Sequence, residues 1–376
     1  MGRSGGLVVY VTSHGFGHLT RSVAVINRVS PEVPVTIRCH PNLRDDWRER
    51  LRRPATLESH ISDVGALAPP GDSAAVDAEA TLERAARVHE EAMARVDEEA
   101  ERLRDEGTAA VLCDIPPVPL VAARRAGVPG FLLANFTWVD IYAPYARRIG
   151  GDAPKLVTEL RRAYRHATAL FRTEPALRMA DIAPVIELGM VVTPGHCRRD
   201  ELRKRLGLAA TDKLVYLYVG RYGQANLGWG RLEKLKGRGL HFVGFHPASI
   251  GPLENLHVVE VSDWTGAELT ASVDVVVAKA GYGTSCEAMV AGTPMIYPPR
   301  TGFAEHRALD RALRAWGGGV PATASELAEL RLERLLDRAL ALKPGPPPFP
   351  ADGAARAAER LTQTCLSTPS KKRPVV

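Results

Sequence analysis

Apolar runs of strand length and apolar stripes at helical spacing alternate along this chain, and glycines stand where one gives way to the other. Residues 7–12 (LVVYVT) read as a buried strand. A glycine-bearing turn follows at 13–18, and then Leu19, Val23, Ile26 and Val29 repeat along one helix face. Residues 33–39, 109–113 and 130–134 predict further strands, with a helix from near Pro119 to Arg124 and Arg125 between the last two. In residues 77–107, Leu82, Ala86, His89, Met93, Val96, Ala100 and Leu103 recur at steps of three and four among Glu and Arg. That predicts one long amphipathic helix, on whose apolar stripe His89 reads as a hydrogen-bonded core or cleft-edge histidine.

A second series begins after the charged, loop-like stretch 194–212. It comprises a strand at 214–219, a glycine turn at 220–223, strands at 240–245 and 256–259, and a helix at 264–271. A strand at 273–278, a turn at Gly281 and Gly283, a helix at 284–291, a strand at 295–297 and a helix at 305–316 complete it. Strands alternating with helices predict parallel sheets, and two such series predict two α/β halves hinged near 193–212. The five prolines and one glycine of 343–350 make a semi-rigid linker. After it, an alanine-rich helix at about 354–362 is free to pack back on the first half, and the tail 367–376 reads as disordered. The expected domains are 1–195, 196–345 and this terminal segment, 346–376.

A length of 376 residues suits two domains, and 45% hydrophobic with 24% charged residues suits folded ones. The net charge of +6 falls short of a nucleic-acid-binding signature but permits anionic small ligands. The five cysteines include no C-x-x-C, which argues against a disulfide framework or thiolate metal site and for a reducing, cytoplasmic setting. The start of the chain lacks signal-peptide features, and the longest uncharged apolar run, 126–139, is interrupted by Gly127, Pro129 and Gly130. No membrane span is expected.

Residues 13–21 (SHGFGHLTR) lie between the first strand and the first helix, the rim where open parallel sheets bind ligands. Gly15 and Gly17 permit positive φ and close approach, and the helix-start amides favour anions. His18 is suited to take a proton from a hydroxyl if a carboxylate orients its other ring nitrogen. Asp114, at the end of its strand, is the candidate partner; the alternative is a turn residue ahead of Pro116. Arg21 follows one turn after His18. His14 and His18 are four apart but sit in a turn without a Cys or carboxylate to complete a ligand set, so no metal is expected.

Residues 279–287 (KAGYGTSCE) repeat the arrangement in the second half. Gly281, Gly283, Thr284 and Ser285 place hydroxyls beside helix-start amides, which suits a diphosphate, and Glu287 could accept two hydrogen bonds from a ribose diol. A plain helix cap, with Glu287 near the positive dipole end, is the other reading. The stretch is neither a P-loop nor G-x-G-x-x-G. Glu305, His306 and Asp310, with the polar residues of 298–307, could grip sugar hydroxyls or form a solvated helix start. Arg221 and Tyr222, in the 220–223 turn, are placed to meet phosphate or acceptor.

Residues 11–21, Asp114-Ile115-Pro116-Pro117 with 135–142 (NFTWVDIY), and 279–294 with Phe303-Ala304-Glu305 together resemble the GT-B glycosyltransferases. Within them, the chain is similar to the group containing the N-acetylglucosaminyltransferase that makes lipid II. It is more similar to the glycosyltransferase-like domain at the amino terminus of arabinokinase-type proteins. The likeness spans most of 7–320, and AGYGTSCEAMVAGTP is its most specific part. It implies two Rossmann-like domains with parallel sheets facing a cleft, and an NDP-sugar donor, UDP foremost, held mainly by the second. No cofactor or metal is implied. By this resemblance Glu287 matches the ribose-binding glutamate, and Gly283, Thr284 and Ser285 match the diphosphate-binding helix start. His18 matches a base or acceptor-site histidine, and Glu305 and His306 fall near a sugar-contacting pair that is Gln-Gln in the lipid II enzyme. The kinase half of arabinokinases has no counterpart here. The expected activity is metal-independent hexosyl transfer to a hydroxyl acceptor with inversion; the alternatives are an NDP-sugar epimerase and a non-catalytic sugar-nucleotide-binding partner. The pairs Arg124 and Arg125, Arg147 and Arg148, and Arg161 and Arg162 leave peripheral membrane contact open.

Overall fold

The computed structural model describes residues 5–69, 75–180, 182, 184–218 and 227–368. In chain order the first elements are β1 (Gly6–Val11), α1 (Phe16–Ile26), β2 (Val35–Cys39), α2 (Arg44–Arg50), β3 (Thr56–Ser59), α3 (Ala78–Ala94), α4 (Val96–Asp105) and β4 (Thr108–Asp114). There follow α5 (Val118–Ala126), β5 (Gly130–Ala134), α6 (Trp138–Ile149), α7 (Ala153–Tyr164), β6 (Ala169–Thr173) and β7 (Val185–Gly189). The second series holds α8 (Arg199–Leu206), β8 (Lys213–Tyr218), α9 (Gly230–Glu233), β9 (Leu240–Gly244), β10 (Leu256–Val258), α10 (Gly266–Ser272) and β11 (Val275–Ala278). It ends with α11 (Tyr282–Ala291), β12 (Met295–Tyr297), α12 (Glu305–Trp316), β13 (Gly319–Pro321), α13 (Ala324–Ala328) and α14 (Glu333–Leu340), before α15 (Gly353–Ser367).

The strands form one sheet in the order β3-β2-β1-β4-β5-β6-β7 and another in the order β10-β9-β8-β11-β12-β13. Every strand pairing among the described residues is parallel. The α/β architecture with parallel sheets is the one that the alternation of patterns implies. In the first sheet the order reverses beside β1, so the ends of β1 and β4 make a topological switch point. The register sets Val11 opposite Asp114, which brings that carboxylate to the strand end next to the first glycine loop.

The chain divides into two compact units. One is built from Met1–Pro69, Val76–Val192 and Pro350–Val376, the other from Thr193–Phe349 with Pro70–Ala75. In the first, Leu7, Val9 and Val11 of β1 and Leu19 and Val23 of α1 share a core with Ala354, Ala357, Ala358, Leu361 and Cys365 of α15. The proline segment is pinned where it enters this unit: the Met190 amide donates to the Pro350 carbonyl at 2.7 Å. Gly189 makes that approach possible, since its φ is 74° and a Cβ there would stand 2.4 Å from the same oxygen. In the second unit, Val215, Leu217, Phe242, Val275, Val277 and Ile296 from the strands pack against Leu335 and Leu336 of α14.

Four features differ from the sequence reading. The helix expected over 77–107 is two, broken at Arg95 (φ −101°, ψ 8°), because α3 packs on α6 while α4 packs on α5. Its buried stripe runs through Leu82, Ala85, Val88 and His89, leaving Ala86 exposed. Residues 199–206 form α8 inside the stretch read as a loop. Strands β3, β6, β7 and β13 extend the sheets beyond the expected ones. Helices α1 and α11 start at Phe16 and Tyr282, three and two residues earlier than their apolar patterns suggest, so His18 sits on a helix and not in the turn. The turn with Arg221 and Tyr222 and the tail from 369 lie outside the described residues. Among the described residues no helix is long and apolar enough to cross a membrane, and no three His, Cys, Asp or Glu side chains gather as metal ligands.

Candidate functional site

The first helix begins behind Gly15, whose φ of 82° at the N-cap is a left-handed conformation that favours glycine. Gly17 lies in the first turn, where its carbonyl accepts from Thr20 Oγ1. From this start three side chains of α1 converge on Asp114. His18 Nδ1 is 2.9 Å from Asp114 Oδ1, Arg21 Nε donates to Oδ2 at 3.1 Å, and Ser22 Oγ donates to Oδ2 at 2.8 Å. A second guanidinium nitrogen of Arg21 bonds Oδ1, and a third polar bond runs from Arg21 to Asn135 Oδ1 at 2.7 Å. His18 is 7% exposed, Arg21 2% and Asp114 0%.

Burial alone would raise the Asp114 carboxyl, but the charges of Arg21 and His18 overcome it and hold it down to about 2. The carboxylate is therefore ionised and can only accept. Facing it, the ring is best satisfied with its proton on Nδ1, which leaves the Nε2 lone pair as the basic atom. Arg21 Nη2 also lies 3.0 Å from Nδ1, but its acceptor is the carboxylate oxygen that both share.

Asp63 approaches the same loop from the stretch after β3. It accepts from Thr12 Oγ1 at 2.8 Å and from Trp138 Nε1 at 2.7 Å. Burial raises its carboxyl to about 6 against those bonds and the His18 charge. Phe136 meets the His18 ring edge-on at 5.7 Å, and His14 meets Trp138 likewise at 5.5 Å. His14 Nδ1 accepts from the Ala66 amide at 3.2 Å, so it is engaged by the loop that carries Asp63. His89 lies elsewhere in this unit, 7% exposed and 4.0 Å from Glu159, and burial lowers its pKa. A cavity of about 550 Å³ is lined by His60, Val88, Arg95 and Val118 and includes neither His18 nor Asp114.

In the second unit Gly281 precedes α11, which has no side-chain cap and no acidic residue in its first turn. First-turn amides have no partner within a helix, so this end favours a negative group. Gly283 and Thr284 are partly exposed there. Ser285 is not available in the same way: its amide donates to the Gly281 carbonyl at 2.9 Å, and its fully buried hydroxyl has no hydrogen-bond partner among the described residues. Glu287 keeps a fringe at the surface, yet burial raises its carboxyl to about 7. Glu305 heads α12 at 5% exposure, 3.9 Å from Arg300, whose guanidinium stacks on Phe303. His306 turns toward Tyr297 at 6.2 Å, and burial lowers its pKa. Tyr297 donates to Asp310 at 2.8 Å.

No family model matches the chain. L-Arabinokinase of Arabidopsis thaliana is 29% identical over 340 residues, which is 89% of this chain and 32% of that protein. The UDP-N-acetylglucosamine--N-acetylmuramyl-(pentapeptide) pyrophosphoryl-undecaprenol N-acetylglucosamine transferase of Clavibacter sepedonicus is 28% identical over 207 residues, 52% of this chain and 54% of that one. The chain thus spans about a third and about half of these relatives. Among solved structures, the glycosyltransferase of kitacinnamycin matches with a TM-score of 0.62 at 15% identity, over 99% of this chain and 97% of its own. A UDP-glucosyltransferase from Polygonum tinctorium matches with a TM-score of 0.61 at 12% identity, over 100% and 96%. The fold is GT-B.

Within this GT-B fold the structure brings His18 and Asp114 together in one unit, and Gly281, Gly283, Thr284, Ser285 and Glu287 in the other. Sequence reasoning noted Arg21 but not its burial against Asp114, and it missed Ser22, Asn135, Asp63 and Trp138. NFTW had a signal as part of the resemblance. Asp63 had none, because it stands alone in an irregular segment without periodicity or a glycine turn.

Proposed function

We propose that this protein transfers a sugar from a nucleoside diphosphate donor, with UDP as the nucleotide, to a hydroxyl of an acceptor. The observation that carries the reading is the buried His18–Asp114 pair at the switch point of a parallel sheet, with Nε2 left basic. Asp114 orients the ring through Nδ1, and Arg21 keeps Asp114 ionised. His18 Nε2 takes the proton of the acceptor hydroxyl as its oxygen bonds to the anomeric carbon. The bond from that carbon to the diphosphate breaks, and the departing oxygen keeps the electron pair. The first-turn amides of α11 and the Thr284 hydroxyl supply positive dipoles to that charge, so the reading needs no metal. Glu287 accepts from the ribose hydroxyls, and Glu305 and His306 are assigned to the sugar. A single displacement by one base inverts the anomeric centre. UDP is supported by the names of the Clavibacter sepedonicus and Polygonum tinctorium proteins.

The test is a thermal-shift screen of UDP-, GDP-, dTDP- and ADP-sugars, followed by turnover with an acceptor panel. A donor at a hundred times its Kd should stabilise the chain by about 2.7 kcal/mol. His18→Ala should bind it equally well while losing ~10²–10⁴ of the turnover. Absence of stabilisation by every nucleotide sugar would remove the donor site. The arabinokinase match, confined to 32% of that protein, favours one second reading, a sugar-nucleotide-binding module without chemistry of its own. Donor binding without turnover, unchanged by His18→Ala, would select it, and an isomerised donor formed without acceptor would select an epimerase.

A further inference from the structure

The mechanism above uses Asp114 and leaves Asp63 without a task, although Asp63 ties together three segments around His18. Through Thr12 it holds the first glycine loop, and through Trp138 the start of α6, while its own segment crosses between them. Thr12 also gives its amide to the Asp114 carbonyl at 3.2 Å, so one residue bridges the two aspartates. Trp138 is fixed in turn by Tyr142, stacked at 5.2 Å, and by the edges of Phe136 and His14, both at 5.5 Å. Asp63 and the His18 ring interact electrostatically across this cluster.

Resting on the transferase reading, we infer that Asp63 is a positioning residue for His18: its hydrogen bonds fix the loop from which the imidazole projects, and its charge favours the imidazolium that forms as the acceptor loses its proton. The charged and titratable neighbours are Asp114, Arg21 and His14 around the ring, with His40 and His60 lining a small cavity beside Asp63. The phenols of Tyr142 and Tyr164 also sense Asp63; burial pushes both well above their ordinary range, so they stay neutral. Asp63, raised to about 6, carries its charge at pH 8.

Asp63→Asn separates charge from clamp. The amide oxygen is left to accept from both the indole and the Ser13 amide, which can only donate, and the amide nitrogen donates to the Thr12 hydroxyl, which can also accept. In the full chain at labelled histidines, NMR should show the His18 midpoint falling by about half a unit or more in this variant. Turnover should fall by up to about tenfold for each unit of that shift, with donor KM unchanged. Trp138→Phe keeps the carboxylate but removes one of the hydrogen bonds that hold it down, so its His18 midpoint should move less than that of Asp63→Asn. An unmoved midpoint in Asp63→Asn, or an equal movement in Trp138→Phe, overturns the inference. If Asp63→Asn does not fold, the wild-type chain decides: the His18 and Asp63 resonances must each carry the other's inflection. The NMR readout needs no substrate, so a chain that turns over no donor would remove the transferase reading while leaving the coupling measured.

Discussion

Helices α1 and α11 begin alike, at the end of an inner parallel strand and behind a glycine, and they are completed differently. In α1, His18, Arg21 and Ser22 turn inward on one buried carboxylate, so the charge at that end is balanced within the protein. In α11 the first turn carries no acid and no cap, the Ser285 hydroxyl is enclosed without a partner among the described residues, and Glu287 is held against its ionisation. The same local grammar thus yields a closed polar cluster suited to aiming a base and an open helix end suited to receiving an anion. The strand–glycine–helix signal locates a helix end at the rim of each sheet, and the residues one turn later set its polar character.

The largest expected effect tests the closed cluster. Asp114→Ala leaves the Arg21 guanidinium buried without its carboxylate, and chemical denaturation should show a loss of about 3–5 kcal/mol. A loss below about 1 kcal/mol would mean that water or another acceptor balances Arg21, and the contrast with α11 would fall.

Glu287 gives a smaller effect with a defined sign. Its carboxyl titrates at about 7 when folded against an ordinary 4.5, so the folded state binds the proton more tightly. Its contribution to stability is full below the unfolded value and declines as pH rises toward about 7. Glu287→Gln should therefore be more stable than the parent at pH 8, by about 1–2 kcal/mol after allowance for its exposed fringe, and equal to it at pH 4. Thermal unfolding across that range checks the sign, and a difference independent of pH contradicts it. The smallest effect belongs to Ser285→Ala, which removes a buried hydroxyl without a partner and should raise stability by up to ~1 kcal/mol. A loss of that size would show that the hydroxyl is satisfied.

Much of the architecture is legible in the order of residues alone, for reasons that differ from one element to the next. Strands β5 and β12 and helix α12 fall where the pattern sets them, because their apolar runs and periodicity are uninterrupted. Strand β3, TLES, is four residues on a sheet edge with polar neighbours, too short and mixed to stand out. The break at Arg95 has no glycine or proline to announce it, since it is imposed by the partners of α3 and α4. Asp114 is readable because strand ends in parallel sheets share a rim, whereas Asp63 reaches His18 by a path through Thr12 and Trp138 that exists only in the folded chain.

Helix α15 sets an order of events. Synthesis reaches it after the whole of Thr193–Phe349, yet its alanines fill the layer against β1 and α1. The second unit can therefore mature while the first still waits, with Leu7, Val9 and Leu19 uncovered, for a helix that emerges from the ribosome later than either sheet.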